Sequence, residues 1–386
     1  MLDSLKIKNF RSLVDFEVAK LGRVNLIVGK NNSGKSSVLE ALRIYAGNAQ
    51  RPLLEAISLE HDERIRTRDS ESIDPDAPLP FQDFFTGRQF PDDGATLIQI
   101  GSAASDKDML GIQYVLLVKT EETLIDEKDD RSVRVRRRPM HKSESPDLFD
   151  EVNHALLITK GDKKHPPILL ETAASRLRPS MFDVANAIPC SVVPTQFISA
   201  DELAVEWDRI ALTEHENVVR LAMRIIAPTF ENLAFVLNDD LRPGYRLNPQ
   251  RSAKVKLSDV PRPVPLNSLG DGMLRVLQLT LKMFPAKGGF LLIDEFENGL
   301  HFSVQEKVWA LLFDMAEKLD IQVFATTHSW DCIESFTKVA IARTQTDGIL
   351  FRMGRSVRKS DHGKIIATVF DEDALKAITQ ADMEVR

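Results

Sequence analysis

Hydrophobic and polar positions alternate from the first residues. "LKIKNF", "VDFEVA" and "VNLIVG" each predict a short strand, and the third runs into "KNNSGKSSVLEAL", where Val38, Leu39 and Leu42 recur at helical spacing. That helix can end at Gly47. From Arg51 to Pro80 the periodicity is weak and prolines recur, which predicts loop and short helix. Strand patterning returns in "ATLIQIG" and "GIQYVLLVKT", and "HALLITKGDKKHPPILLE" reads as a hairpin closing at Gly161 to Lys164. A further helix is predicted where Thr213 and Glu216 can form a capping box ahead of Val218, Leu221, Ala222 and Ile225, with Pro228 as its stop. "PLNSLGDGMLRVLQLTL" opens another helix with Leu274 and Leu277 on its apolar side. "GGFLLIDEF" and "IQVFATTHS" then each hold an apolar run of the length of a buried strand. Strands alternating with helices predict an α/β fold, a mixed sheet with flanking helices, plus an antiparallel β region and a helical insertion. The expected parts are an N-terminal lobe over 1–180, a helical insertion over 181–265 and a C-terminal lobe over 266–386.

Composition narrows the class. At 386 residues the chain can bury a sizeable core, and no stretch approaches the roughly 20 apolar residues of a membrane helix. "MLDSLKIKNF" lacks the apolar centre of a signal peptide, so a cytoplasmic protein with no membrane partner is expected. Cys190 and Cys332 offer neither a disulfide framework nor metal-ligand spacing, which leaves core packing. A net charge of −7 argues against bulk attraction to nucleic acid. One local contrast stands out, acidic "EETLIDEKDD" followed by basic "RSVRVRRRPMHK". On a strand Arg134, Arg136 and Arg138 share one face, either as a solvated edge or as a contact to DNA or a partner.

Four runs carry chemistry. Gly29, Gly34, Lys35 and Ser36 have the spacing G-x-x-x-x-G-K-S between a strand and a helix, with Lys30, Asn31, Asn32, Ser33 and Ser37 completing the loop. The glycines let backbone N–H groups turn inward to cradle phosphate oxygens, Lys35 reaches the β and γ phosphates, and the Ser36 hydroxyl holds Mg²⁺. The expected ligand is ATP with Mg²⁺. Asp294 and Glu295 follow a buried strand, where the first can support Mg²⁺ and the second can polarise an attacking water. His328 ends the next strand. Ser268, Gly270, Asp271 and Gly272 sit at a helix start, either as a phosphate-binding turn or as a simple N-cap.

Together these runs resemble the ABC-type ATPases of the SMC, RecF and OLD (overcoming lysogenization defect) group, an AAA-family P-loop NTPase head. The resemblance implies that Gly29 to Ser36 are Walker A, Leu269 to Met273 the signature, Asp294 and Glu295 Walker B with the catalytic glutamate, and His328 the switch histidine. It places Arg11, in the "KNFRS" start at Lys8 to Ser12, near the nucleotide. It also implies two heads sandwiching two ATP molecules, hence a homodimer or higher homo-oligomer. "DEFENGLH" and "ATTHS" look most like the OLD branch, in which Glu297 to His301 cross to the partner head. His301 then either contacts the partner's nucleotide or caps the helix beginning near Phe302. The signature reads L-G-D-G-M, so the serine expected to face the γ-phosphate is missing and Ser268 is the substitute at hand. Gln82 and Gln89 are the candidates for the glutamine loop.

Three functions compete. A transporter ATPase would carry its two Walker motifs much closer together than Lys35 and Asp294. A RecF-like DNA-binding ATPase of repair or recombination shares the fold, with the arginine strand as its phosphate contact, but the acidic total and the absence of interleaved aromatics weigh against it. The third is an ATP-hydrolysing switch acting on a separate effector, a nuclease or toxin, in anti-phage defence, resembling the ATPase subunits of the PARIS and Septu types. OLD proteins add a metal-binding TOPRIM nuclease domain. After His328 the only acidic candidate here, "FDEDAL" at Phe370 to Leu375, reads better as a helix N-cap.

Overall fold

The computed structural model describes residues 1–61, 80–92, 96–125, 131–140, 152–170, 187–237, 251–343 and 346–370, with the backbone alone for 119–125 and 131–137. The acidic run Asp371 to Asp373, the arginine side chains at 134 and 136, and the end of the basic segment at 141–142 lie outside what it describes.

Strands β1 (Leu5–Phe10) and β2 (Leu13–Val18) form an antiparallel hairpin and lead into β3 (Val24–Val28). Helix α1 (Lys35–Ala46) stops at Gly47, and α2 (Arg51–Glu60) starts with a proline in its first turn, where a missing N–H costs nothing. Then come β4 (Leu97–Gly101), β5 (Leu110–Ile125), β6 (Arg131–Pro139), β7 (Val152–Lys160), β8 (Lys163–Lys164) and β9 (Ile168–Leu169). With β1 and β2 they build an antiparallel sheet in the order β2-β1-β4-β5-β7-β8, β6 pairing β5 and β9 pairing β7. The acidic run "EETLI" continues β5 rather than ending it, because the arginine-rich strand supplies its partner and the register sets Glu122 opposite Arg134.

Strand β10 (Cys190–Val193) is followed by α3 (Ala200–Ile210), α4 (His215–Met223), β11 (Phe230–Leu237), β12 (Arg251–Leu257) and β13 (Val264–Pro265). The stretch expected to be a helical insertion therefore also holds a three-stranded antiparallel sheet, β11-β12-β13, and a strand of the central sheet. The alternation that makes β12, with Ala253, Val255 and Leu257 buried, is short and gains its meaning only from the strands that flank it. At the start of α4 the capping box is displaced by one residue. The Leu212 N–H donates to Glu216 Oε2 at 3.1 Å, and the His215 N–H donates to Thr213 Oγ1 at 3.3 Å.

The chain closes with α5 (Asp271–Met283), β14 (Phe290–Ile293), α6 (Phe302–Lys318), β15 (Gln322–Thr327), α7 (Trp330–Ile341), β16 (Gly348–Arg355) and β17 (Ile365–Phe370). The central sheet has the order β10-β14-β15-β3-β16-β17, parallel throughout except for the β16–β17 pair. Successive side chains of its inner strands serve opposite faces. Leu26, Val28, Leu291, Ile293, Val323 and Ala325 pack into one core with α3 to α7. Ile27, Phe290, Leu292 and Phe324 pack into a second, against α1, α2 and the antiparallel sheet. The result is a layered α/β head whose parallel strands bring their carboxyl ends to one side, where ligands bind in open α/β sheets. Among the described residues no helix is long and apolar enough to cross a membrane.

Both cysteines take the packing role. Burial pushes the Cys190 thiol up to about 12 and also holds the Cys332 thiol well above its ordinary value. Because the thiolate is the reactive form, neither is expected to react with iodoacetamide at neutral pH until the protein unfolds, which alkylation with and without denaturant measures by mass.

Candidate functional site

The fully buried strand β3 delivers the phosphate loop. Gly34 has φ 91°, a left-handed conformation that disfavours side chains, and a Cβ there would meet Leu13 Cδ2 at 3.2 Å and Ser12 Oγ at 3.3 Å. The turn of "KNFRS" thus packs directly on the loop. Lys30, Asn31 and Asn32 are exposed, Ser37 is half-buried, and the Ser33 hydroxyl is buried with no hydrogen-bond partner. Lys35 Nζ donates to Gly29 O at 2.7 Å and Lys30 O at 3.1 Å. Burial lowers its pKa, opposed by the charges of Asp294, Glu295 and Glu297. The exposed Ser36 hydroxyl stands 3.5 Å from both carboxylate oxygens of Asp294.

Register brings the acidic turn to this loop. Ile293 pairs with Ala325, and Thr327 with Val28, so the residues after β14, β15 and β3 meet at one edge. Two threonines orient Asp294, Thr326 Oγ1 donating to Oδ1 at 2.6 Å and Thr195 Oγ1 to Oδ2 at 3.1 Å. The Glu295 N–H donates to Thr326 Oγ1 at 2.9 Å. Glu295 itself has φ 47°, a left-handed backbone that costs of order 1–3 kcal/mol in a residue other than glycine and is held by its surroundings.

The holder is a residue that sequence reasoning missed. Arg275, on α5 and fully buried, donates to Asp294 O and Glu295 O at 2.7 Å each and to Pro194 O at 2.6 Å. Burial pulls its pKa down to about 10, which leaves it charged at neutral pH. Its only trace in the sequence is a cation among the apolar positions of the helix.

Beyond Glu295 the loop turns back on itself. Phe296 stacks on Trp309 with ring centroids 3.8 Å apart, and Asn298 Nδ2 donates to Thr195 O at 2.6 Å. His301 Nδ1 accepts from the Ser303 N–H at 3.4 Å and lies 2.9 Å from Ser303 Oγ, so within this chain it takes the helix-capping role. His328 Nδ1 stands 3.2 Å from Glu297 Oε1 and 3.7 Å from Glu295 Oε1.

Other expected residues fall elsewhere. Gly270, at φ 89°, has open space where a side chain would begin, and Asp271 and Gly272 pack against Gly299, so the signature turn touches the loop after Glu295 rather than the phosphate loop. The Ser268 hydroxyl donates to Pro265 O at 2.6 Å. Arg11 pairs with Glu40 of α1 at 2.6 Å and lies against Phe84 at 5.4 Å, committed to the helix that follows the loop. Gln82 sits in the single turn Phe81–Phe84 and Gln89 is exposed. The glutamine that the fold places at the carboxyl ends of the parallel strands is Gln196, next to the Asp294-binding Thr195. The short run "SVVPTQF" was its one available signal, a strand too brief to read without its neighbours.

These donors suit a metal nucleotide. A hydroxyl beside a carboxylate offers the hard oxygens that Mg²⁺ prefers, and the loop's Gly29, Lys30 and Asn31 line a cavity of about 490 Å³ together with Thr327 and His328. Among the described residues no group of three or more His, Cys, Asp or Glu could hold a further metal ion.

Comparison with known proteins agrees with this chemistry. A family model described as an AAA ATPase domain matches residues 1–156, and one described as an AAA domain, putative AbiEii toxin, Type IV TA system, matches residues 236–331. An ATP/GTP phosphatase of Helicobacter pylori is 25% identical over 358 residues, 88% of each chain. An OLD nuclease of Thermus scotoductus is 24% identical over 347 residues, covering 85% of this chain and 59% of that protein. Among solved structures, an SMC head bound to the C-winged helix domain of ScpA covers 97% of this chain and 99% of its own with 14% identity and a TM-score of 0.49. Two ATPase-domain models, one over residues 1–156 and one over residues 236–331, and relatives aligned along most of the chain support an ATPase similar to the AAA-type and OLD-like proteins.

Proposed function

We propose that this ATPase is a Mg²⁺-dependent switch whose copies close head to head on ATP and govern a separate effector, a nuclease or toxin, in anti-phage defence. The observation that carries the reading is the gathering of Lys35, Ser36, Asp294 and Glu295 at one sheet edge, while the Gly270 turn faces open space in the same chain. A second copy's nucleotide would give that turn a phosphate to bind. The loop N–H groups and Lys35 hold the β and γ phosphates, and Glu295 orients the attacking water. Ser36 and Asp294 would hold Mg²⁺, which when bound neutralises phosphate charge. His328 lines the cavity beside Gly29 and Lys30 of the loop. Support for a paired effector comes from the OLD nuclease relative and from the toxin–antitoxin description of the second family model. The phosphatase relative makes GTP a substrate to test beside ATP.

Glu295→Gln is expected to retain ATP, to hydrolyse it about 10²–10⁴-fold more slowly, and to accumulate as a dimer in ATP and Mg²⁺. Turnover measured with light scattering tests this, and a variant that turns over at the wild-type rate or stays monomeric with ATP would sink it. The chain alone is expected to leave DNA and RNA uncut in Mg²⁺ or Mn²⁺. Cleavage should appear only with a co-encoded effector and respond to Glu295→Gln. Efficient cleavage by the isolated protein would place the effector in this chain. Reversing Arg134, Arg136 and Arg138 to Glu is expected to abolish a partner or nucleic-acid contact with basal ATPase intact, and binding at two salt concentrations separates the two.

A further inference from the structure

The hairpin of β16 and β17 carries charge that the ATPase chemistry does not use. Between Arg352 and Lys364 it holds five Arg and Lys residues against the single carboxylate of Asp361, in a chain whose net charge is −7. That carboxylate is turned into the hairpin's own loop, where it accepts from the Ser356 and Ser360 hydroxyls. Lys364 stands 3.6 Å from Asp15, and Arg355 Nη1 donates to Gly363 O at 3.3 Å. Arg358 and Lys359 are exposed and make no ion pair among the described residues, and Val357 beside them is 98% exposed.

The tip is held by its own backbone. The Ser356 N–H donates to Lys364 O at 2.8 Å, the Lys364 N–H to Asp361 O at 2.9 Å and the Arg358 N–H to Ser356 Oγ at 3.2 Å. Its place in the fold follows from register. Arg352 pairs with Val28, and a Cβ at Gly29 would meet Met353 O at 2.7 Å, so β16 runs on past the end of β3 beside the glycine-rich loop.

Exposed guanidinium and ammonium groups on an ordered ribbon suit a polyphosphate backbone, which releases its counterions to them. A packed protein interface would need aromatic or large apolar anchors, and this tip offers one valine among serines. Single strands bind by stacking bases on aromatic rings, of which the tip has none. The major groove of B-DNA admits a two-stranded ribbon, whereas that of A-form RNA is too narrow. We infer that the β16–β17 hairpin docks duplex DNA, with Arg358 and Lys359 on backbone phosphates and the tip at the major groove. The inference stands on the hairpin alone and uses neither the effector nor the arginine-rich strand β6.

Anisotropy of a labelled DNA duplex titrated with the full chain tests it, at two salt concentrations. The wild type is expected to bind the duplex at least about fivefold tighter than duplex RNA or single-stranded DNA of the same length. Arg358→Glu combined with Lys359→Glu should weaken binding by about 10-fold or more and lower the salt slope by about two. Basal ATPase should stay within about twofold, which also reports that the variant is folded, and Arg358→Lys with Lys359→Arg should keep the affinity. Lys163→Glu with Lys164→Glu makes the same change in total charge at exposed positions of β8, and should leave duplex binding within about twofold. Equal weakening by the two reversed pairs would mean attraction by total charge, and wild-type affinity in the hairpin pair would put the contact elsewhere. Tighter binding of poly-L-glutamate than of the duplex would mark an acidic protein as the occupant. Each of these results, like a failure to bind the duplex at low salt, would overturn the inference.

Discussion

Arg275→Met is expected to destabilise the fold by about 3–5 kcal/mol and to slow hydrolysis with it. The guanidinium is fully buried, and its three acceptors, Pro194 O, Asp294 O and Glu295 O, lie on the two neighbouring turns that follow β10 and β14. Methionine fills much of the volume but donates nothing. Each buried carbonyl left without a partner costs roughly 1–3 kcal/mol, and the losses add less than fully because the groups are neighbours. Glu295 loses a contact that restrains its left-handed backbone, so its carboxylate should relax away from the loop after β3. Chemical unfolding reads the first effect as a lower midpoint with an unchanged slope, and kcat reads the second. A midpoint and a kcat equal to those of the wild type would show that the carbonyls find other donors.

Lys35→Ala is expected to weaken ATP binding by about 100-fold and to stop hydrolysis. Without nucleotide the ammonium rests on two loop carbonyls, Gly29 O and Lys30 O, and feels three carboxylates, Asp294, Glu295 and Glu297. Bound phosphates exchange the carbonyl contacts for charge-assisted ones, each net favourable by about 1.5–3 kcal/mol, and tenfold in affinity is about 1.4 kcal/mol. Its loss also leaves phosphate facing the three carboxylates with one cation fewer. Calorimetry with ATP and Mg²⁺ checks the affinity. Wild-type affinity in Lys35→Ala would remove the loop from the nucleotide site.

The two variants probe opposite kinds of information. Lys35 was legible at once, because G-x-x-x-x-G-K-S between a strand and a helix is a local pattern and the backbone that uses it lies within nine residues. The same holds for β1 to β3, for α1 ending at Gly47, and for the buried runs that became β14 and β15. In each, periodicity and turn chemistry act between close neighbours in the chain. Arg275 was not legible, and neither were Gln196, Thr195 and Thr326, because a residue type inside a helix or after a four-residue strand says nothing until its partner is known. Arg275 finds Pro194 O at a separation of 81 residues, and Thr195 finds Asp294 at 99. The three-stranded sheet within 181–265 escaped for a related reason, since its short strands are stabilised by pairing and by the core they cover. Sequence by itself determined the fold class, the glycine-rich loop between β3 and α1 and the acidic turn after β14, since these follow from the order of neighbours along the chain. Only the tertiary structure decided that Arg275 braces the turn, that Arg11 pairs with Glu40 and that the Gly270 turn meets open space, because the packing of the fold joins residues whose separation no local pattern records.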